Sequence, residues 1–150
     1  MKLPSLTALL VAASLLAACE DNSKTPYLEF AGGGFIFNYR TADAYYGFVV
    51  RPKKPLPDGA VLEARFEVPG GRPDYIVTAK STPGQLQYMF RTDSLRGIVK
   101  NHDYRAAILI IDGVTGAEIA RYERTFRSEM DQASLPDKPL VVGPAYQPAP

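Results

Sequence analysis

Short runs in which apolar residues occupy every second position recur about every ten residues along this chain. The clearest run, residues 60–68, places Leu62, Ala64 and Phe66 on one parity and charged residues on the other. Beyond residue 18 no stretch shows a convincing helical period, and Gly or Pro residues separate the runs. The pattern predicts an all-β, antiparallel sandwich of about seven to eight strands, with a small closed β-barrel as the alternative.

Eight segments are expected to form these strands: residues 35–40, 44–50, 60–68, 75–80, 85–90, 104–112, 118–126 and, as an edge strand or along the sandwich, 139–142. The run at 85–90 is expected to bury Leu86, Tyr88 and Phe90. In the run at 118–126 the apolar parity changes between Ile119 and Phe126, which predicts a β-bulge near Ala120.

Tyr104 opens the most apolar of these segments, in the sequence HDYRAAILI, and Ala106, Ile108 and Ile110 share its parity and are expected to face the core with it. A tyrosine at this place resembles the tyrosine corner of immunoglobulin-like domains. The resemblance implies an immunoglobulin/fibronectin-III-like arrangement of strands, although the Cys–Trp–Cys pattern of antibody domains is absent from the sequence.

Residues 1–18 differ from the rest of the chain. Lys2 is followed by an apolar stretch from Leu6 to Ala18, which is shorter than the roughly twenty residues of a membrane-spanning helix and typical of a secretory signal peptide. The stretch ends in LAAC, residues 16–19, which resembles the lipobox of bacterial lipoproteins. The resemblance implies cleavage between Ala18 and Cys19 and attachment of lipid, including palmitate, at Cys19.

The chain is therefore expected to have four parts. Residues 1–18 are the signal peptide, 19–26 the lipidated cysteine and a polar tether, 27–128 the β-sandwich, and 129–150 a Pro-rich extended segment that is partly docked. In enteric lipoproteins an aspartate directly after the cysteine favours the inner membrane, and Glu20 stands there instead. We expect a lipid-anchored protein of the cell envelope that faces the periplasm, at the outer rather than the inner membrane.

Two longer stretches, PYLEFAGGGFIFNYR and PDKPLVVGPAY, also resemble small lipoproteins of the Gram-negative envelope. This second resemblance implies an immunoglobulin-like fold, no activity and no functional residue besides Cys19.

The charge balance excludes one class of partner. The full chain has 17 Lys+Arg and 16 Asp+Glu, and Lys2 is the single charged residue of the predicted signal peptide, so the mature chain has sixteen of each. A neutral domain lacks the basic surface that nucleic-acid binding needs. Cys19 is the only cysteine, which excludes an intramolecular disulfide, and lipidation accounts for a lone thiol in an exported protein.

Three successive glycines, residues 32–34, come directly before aromatic residues at positions 35, 37 and 39. Phosphate-binding loops place their glycines before a helix and supply a Lys–Ser/Thr pair, and neither follows here. We expect these glycines to allow a bend, a bulge or a close backbone approach ahead of a strand. A ligand-binding loop is the alternative.

Eight of the chain's sixteen Phe and Tyr residues lie between residues 27 and 48. We expect most of these rings to fill the core, in two inward sets: Phe35, Phe37 and Tyr39, and Tyr46 and Phe48. Two layers cannot bury both faces of every strand, so some rings are expected to be exposed. The candidate contact residues of this region are Asn38, Arg40, Tyr45 and Tyr46.

No catalytic set is recognisable. His102 is the only histidine, so a transition-metal site and a seryl nucleophile with its base are not expected, and no GxSxG sequence is present. Glu63 and Glu67 flank Arg65 on one face of a strand, as in a solvent-exposed charge ladder. We therefore expect a non-catalytic lipoprotein without metal or cofactor that binds a protein partner or helps an assembly. A binder of glycan or small ligand through residues 35–48 is the second hypothesis, and an unrecognised enzyme is the third.

Overall fold

The computed structural model describes residues 24–145 and 147–149, in which seven strands build two antiparallel sheets. The strands are β1 (Leu28–Asn38), β2 (Asp43–Pro52), β3 (Val61–Phe66), β4 (Tyr75–Lys80), β5 (Tyr88–Arg91), β6 (Asp103–Ile111) and β7 (Glu118–Arg127). One sheet has the order β1-β2-β5 and the other the order β4-β3-β6-β7. The sheets pack face to face and do not close into a barrel, which confirms the predicted immunoglobulin/fibronectin-III-like sandwich.

The core lies between the two sheets and is made by alternate residues of the central strands. The inward residues of β2, β3 and β6 are fully buried: Ala44, Tyr46, Phe48, Val50, Leu62, Ala64, Phe66, Ala106, Ile108 and Ile110. Tyr46 donates its hydroxyl proton to the carbonyl oxygen of Glu67 at 2.6 Å, and burial raises the pKa of this phenol far above its ordinary value. The inward parity predicted for residues 60–68 and for the strand after Tyr104 is confirmed.

The three glycines lie inside β1 and not ahead of it, because the strand already begins at Leu28. The pairing with β2 shifts register between Phe30 and Gly32, which marks a β-bulge. Gly33 then faces the opposite sheet, where a Cβ atom would stand 2.6 Å from the ring of Phe126. The glycines thus serve a bulge and a close approach, as predicted, but the expectation that they precede the strand is wrong.

The predicted aromatic core is confirmed for four rings and wrong for one. Tyr46 and Phe48 are buried, and Phe35 and Phe37 pack half-buried against the core cluster. Phe35 stacks on Tyr46 with ring centroids 4.6 Å apart. Tyr39 is exposed because β1 ends at Asn38 and the chain turns there.

Two details of the later strands depend on pairing with their neighbours. β5 begins only at Tyr88, so the expectation that Leu86 is buried is wrong: it lies in the preceding loop and is 84% exposed. In the pairing of β6 with β7, Ile110 faces Ala120 and Ile111 faces Glu118, which leaves Ile119 as an extra residue. The predicted bulge near Ala120 is therefore confirmed.

Tyr104 forms the tyrosine corner that the sequence predicted. Its side chain is buried, and its hydroxyl oxygen accepts the backbone N–H of Val99 at 2.9 Å. The bond ties the connection between β5 and β6 to the start of β6.

The C-terminal segment folds back onto the end of the sandwich where β1 turns into β2. After a short 3-10 turn (Gln132–Ser134), Leu135 is buried, and the N–H of Leu140 donates to the carbonyl of Arg40 at 2.8 Å. Strands β8 (Val141–Val142) and β9 (Gln147–Pro148) pair with each other, so residues 139–142 do not add an edge strand to the sandwich. Tyr146 lies outside the described residues.

Candidate functional site

The outer face of the four-stranded sheet carries a ladder of charged residues. Arg65 Nε lies 2.7 Å from Glu63 Oε1, and Arg121 Nη2 lies 2.8 Å from Glu118 Oε2. Beneath the ladder Leu109 is buried although it points away from the core between the sheets. Exposed ion pairs of this kind add little stability, but they make this face mainly polar, with Ile76, beside Arg65 in the register, 52% exposed among the charges.

The outer face of the three-stranded sheet has the opposite character. The register of β1, β2 and β5 sets Ile36 beside Tyr45, Gly34 beside Gly47, Gly32 beside Val49, and Val49 beside Met89. We call the surface formed by these residues the apolar face: Gly32, Gly34, Ile36, Tyr45, Gly47, Val49 and Met89. Ile36 is 49% exposed and Met89 is 73% exposed. Large side chains with no polar atom other than the Tyr45 hydroxyl therefore meet solvent across three neighbouring strands.

The glycines make the centre of the apolar face concave. A Cβ atom added at Gly32 or Gly34 would meet nothing within 4 Å, so both backbones are open to the outside. At Gly47 an added Cβ would collide with the carbonyl oxygen of Phe90. The result is a shallow depression of about 760 Å³ with a backbone floor between the side chains of Ile36, Tyr45 and Met89.

One cation lies at the edge of this depression. The guanidinium of Arg91 sits over the Tyr45 ring, 4.8 Å from its centroid, which fixes the orientation of both side chains. The apolar face thus offers dispersion contacts in its centre and a positive charge at one side. Such a surface can hold an apolar group beside a carboxylate.

The four contact residues predicted from the sequence do not form one surface. Asn38 Oδ1 accepts the N–H groups of Arg40 and Thr41 at 3.1 and 3.4 Å and closes the β1–β2 turn, to which Arg40 also belongs. Tyr45 lies on the apolar face. Tyr46 points into the core and is fully buried, so the prediction that it makes surface contacts is wrong.

Sequence reasoning missed most of the apolar face, namely Ile36, Gly47, Val49 and Met89, and it missed Arg91 at the edge. A signal was present in AYYGFVV, residues 44–50, where both parities are apolar, whereas residues 60–68 alternate with charges. In a two-layer sandwich one side of such a strand must face outwards. Which side faces out depends on the register with β1 and β5.

His102 and Glu67, two titratable residues considered in the sequence, lie close together. His102 is exposed, its Nε2 lies 3.6 Å from Glu67 Oε1, and its ring packs edge-on against Tyr104. Within residues 24–145 and 147–149 no three His, Cys, Asp or Glu side chains are grouped as metal ligands. A further depression of about 420 Å³ lies between the β2–β3 and β4–β5 loops, and its lining includes four prolines, two lysines, Leu56, Leu86 and Tyr88.

The predicted signal peptide, Ala18 and the lipidation residue Cys19 lie outside the described residues. Within the part of the chain that the structure describes, no helix has the length and hydropathy needed to cross a membrane. No protein-family model, curated protein or solved structure matches this chain. Fold and surface together define a β-sandwich with one charged and one apolar outer face.

Proposed function

We propose that this protein is a non-catalytic lipoprotein of the bacterial cell envelope, anchored by lipid at Cys19, whose sandwich binds a protein partner through the apolar face. The lipobox sequence LAAC supports the anchor. The contrast between the two outer faces supports the binding role.

That contrast carries the proposal. Both sheets have a core-facing side, and only the four-stranded sheet covers its other side with paired charges. An exposed apolar surface with a polar edge is typical of protein contact sites, and a tyrosine beside an arginine is typical of their centres. A partner that fits would insert an apolar side chain over the glycines and place a carboxylate near Arg91.

The glycan hypothesis has less support. Sugar binding needs a ring flanked by several side-chain hydrogen-bond groups, and Tyr45 has only Arg91 over its ring. Asn38 uses its side-chain oxygen in the turn, and Tyr46 uses its hydroxyl in the core.

Photo-crosslinking in intact cells tests the binding role. A benzophenone amino acid is placed at Val49 on the apolar face or, as the matched control, at Thr125 on the opposite sheet. We expect one defined protein adduct at Val49 and none at Thr125. Met89→Glu should abolish the Val49 adduct because it places a charge on the apolar face, whereas Thr125→Glu should leave the adduct unchanged.

The circular-dichroism spectrum of both glutamate variants should match that of the unchanged chain, since both positions are exposed strand residues. Equal adducts at Val49 and Thr125, or a Val49 adduct that survives Met89→Glu, would contradict the role of the apolar face.

A further inference from the structure

One end of the sandwich gathers the start of the described chain and three loops. Because the strands are antiparallel, the pairs Leu28–Pro52, Val61–Lys80 and Ile111–Glu118 all lie at this end. We call it the N-terminal pole and define it as residues 24–27, 53–60, 81–87 and 112–117.

Contacts join these four segments into one surface. The N–H of Lys53 donates to the carbonyl of Tyr27 at 2.9 Å, and the N–H of Ser81 donates to that of Ala60 at 2.8 Å. Gly113 packs so closely on the Gly59 carbonyl that a Cβ atom there would not fit. The pole is therefore a continuous end of the molecule and not a set of independent loops.

Two loop tips on this pole expose large apolar side chains almost completely. Val114 is 96% exposed and Leu86 is 84% exposed. Hydrogen bonds hold both loops. Asp112 Oδ1 accepts the N–H groups of Val114 and Thr115 at 2.9 and 2.7 Å, and these bonds hold the pKa of Asp112 below its usual range. In the Leu86 loop the N–H of Thr82 donates to the Tyr88 hydroxyl oxygen at 2.8 Å. The pole therefore presents two exposed aliphatic side chains on backbones that hydrogen bonds hold in place.

The pole carries Lys24, Lys53, Lys54, Asp58 and Asp112, a formal net charge of +1, so its charge gives little preference for an anionic partner. Lys53 pairs with Glu29 at 3.3 Å, and Lys54 lies over the Tyr27 ring. The carboxylate of Asp112 accepts the backbone N–H of Thr115 within its own turn. Contact at this pole is therefore expected to rest on the apolar tips.

The predicted anchor restricts where the pole can be. Between Cys19 and Lys24 the chain has five Cα–Cα steps, which span at most about 18 Å when fully extended. Strands of nine to eleven residues make the sandwich about 30 Å long, so its far end stands well beyond the reach of the tether.

We propose that the N-terminal pole rests on the membrane surface that holds the acyl chains, with Leu86 and Val114 in contact with the lipid. This inference rests on the proposed lipid anchor. It orients the sandwich upright, so that the apolar face stands roughly perpendicular to the bilayer and the docked C-terminal segment is farthest from it.

Depth-dependent fluorescence quenching tests this orientation on the full lipidated chain. The attached lipid blocks the sulfur of Cys19, the only native cysteine, so one introduced thiol can be labelled specifically. Single variants Leu86→Cys and Val114→Cys, with Val99→Cys at the opposite end as the matched control, receive a small fluorophore. The purified proteins are then reconstituted in phosphatidylethanolamine–phosphatidylglycerol vesicles that contain a headgroup-level spin-labelled lipid.

We expect at least twofold stronger quenching at positions 86 and 114 than at position 99, together with reduced quenching by aqueous iodide. Equal quenching at positions 114 and 99 would overturn the upright orientation while leaving the lipid anchor intact. If a variant binds two fluorophores per chain and does not float with the vesicles, the second fluorophore has reacted with an unmodified Cys19. This result would contradict the lipid anchor as well.

Discussion

At the scale of the residue, Gly33 stands where the two sheets meet at the β1 side of the sandwich. A Cβ atom at this position would lie 2.6 Å from the carbonyl oxygen of Gly47 and 2.6 Å from the Phe126 ring. Gly32 is adjacent in sequence but points outwards, where an added Cβ would meet nothing within 4 Å. Two neighbouring glycines therefore have different reasons to be small: Gly33 avoids a clash with the Gly47 carbonyl and the Phe126 ring, and Gly32 leaves the apolar face concave.

Gly33→Ala is expected to lower the free energy of unfolding by about 1–3 kcal/mol, because the methyl group must push aside a backbone carbonyl and a buried ring. Gly32→Ala is the control and should change the free energy by no more than about 0.5 kcal/mol. Urea titration of both variants, followed by far-UV circular dichroism, measures the difference. The packing argument is wrong if Gly33→Ala and Gly32→Ala lower the free energy of unfolding by the same amount.

At the scale of the element, β6 is held in position by its two neighbouring strands and by the tyrosine corner at its start. It pairs with β3 and with β7, and the Tyr104 hydroxyl holds the N–H of Val99 in the connection that precedes it. Tyr104 also packs against Phe35 from the other sheet, with ring centroids 5.2 Å apart. A single side chain thus joins a loop, a strand and the opposing layer.

Tyr104→Phe is expected to destabilise the fold by about 1–3 kcal/mol, because the Val99 N–H then loses its acceptor. The matched control is Tyr39→Phe, whose hydroxyl is exposed and makes only a 3.9 Å contact with Met130 Sδ. Amide hydrogen exchange should also become faster at Val99 in the first variant and stay unchanged in the second. An unaltered exchange rate at Val99 in Tyr104→Phe would speak against the corner.

At the scale of the whole molecule, three surfaces divide the proposed tasks. The charged face of the four-stranded sheet stays hydrated, the apolar face of the three-stranded sheet is free to bind a partner, and the N-terminal pole is near the predicted anchor. The described chain starts at this pole and its C-terminal segment lies at the other, because seven strands traverse the sandwich an odd number of times.

Cys19→Ala is expected to abolish metabolic labelling with radioactive palmitate and to block normal maturation, since the acceptor sulfur is gone. Unprocessed chain should accumulate as a band of higher mass, and a second lipoprotein labelled in the same cells controls for uptake of the fatty acid. Labelling that persists in the variant would refute lipidation at Cys19.

The sequence by itself determined the alternation of strands and turns, the inward parity of β3 and β6, the bulge near Ala120 and the corner at Tyr104. Each of these follows from local patterns, because successive side chains of a strand point to opposite faces. A change in which positions are apolar can therefore be read from a few neighbouring residues.

Only the tertiary structure decided what Leu86, Tyr45 and Tyr46 do. Leu86 has the parity of a buried residue, but β5 pairs with β2 only from Tyr88 onwards, so the loop carries Leu86 to the surface. Tyr45 and Tyr46 are adjacent, identical in type and equally apolar in context; the pairing of Phe35 with Tyr46 and of Ile36 with Tyr45 sends one ring inwards and the other outwards. Register is a long-range property, since it is set by contacts between strands, and an apolar pattern on both parities leaves it undetermined.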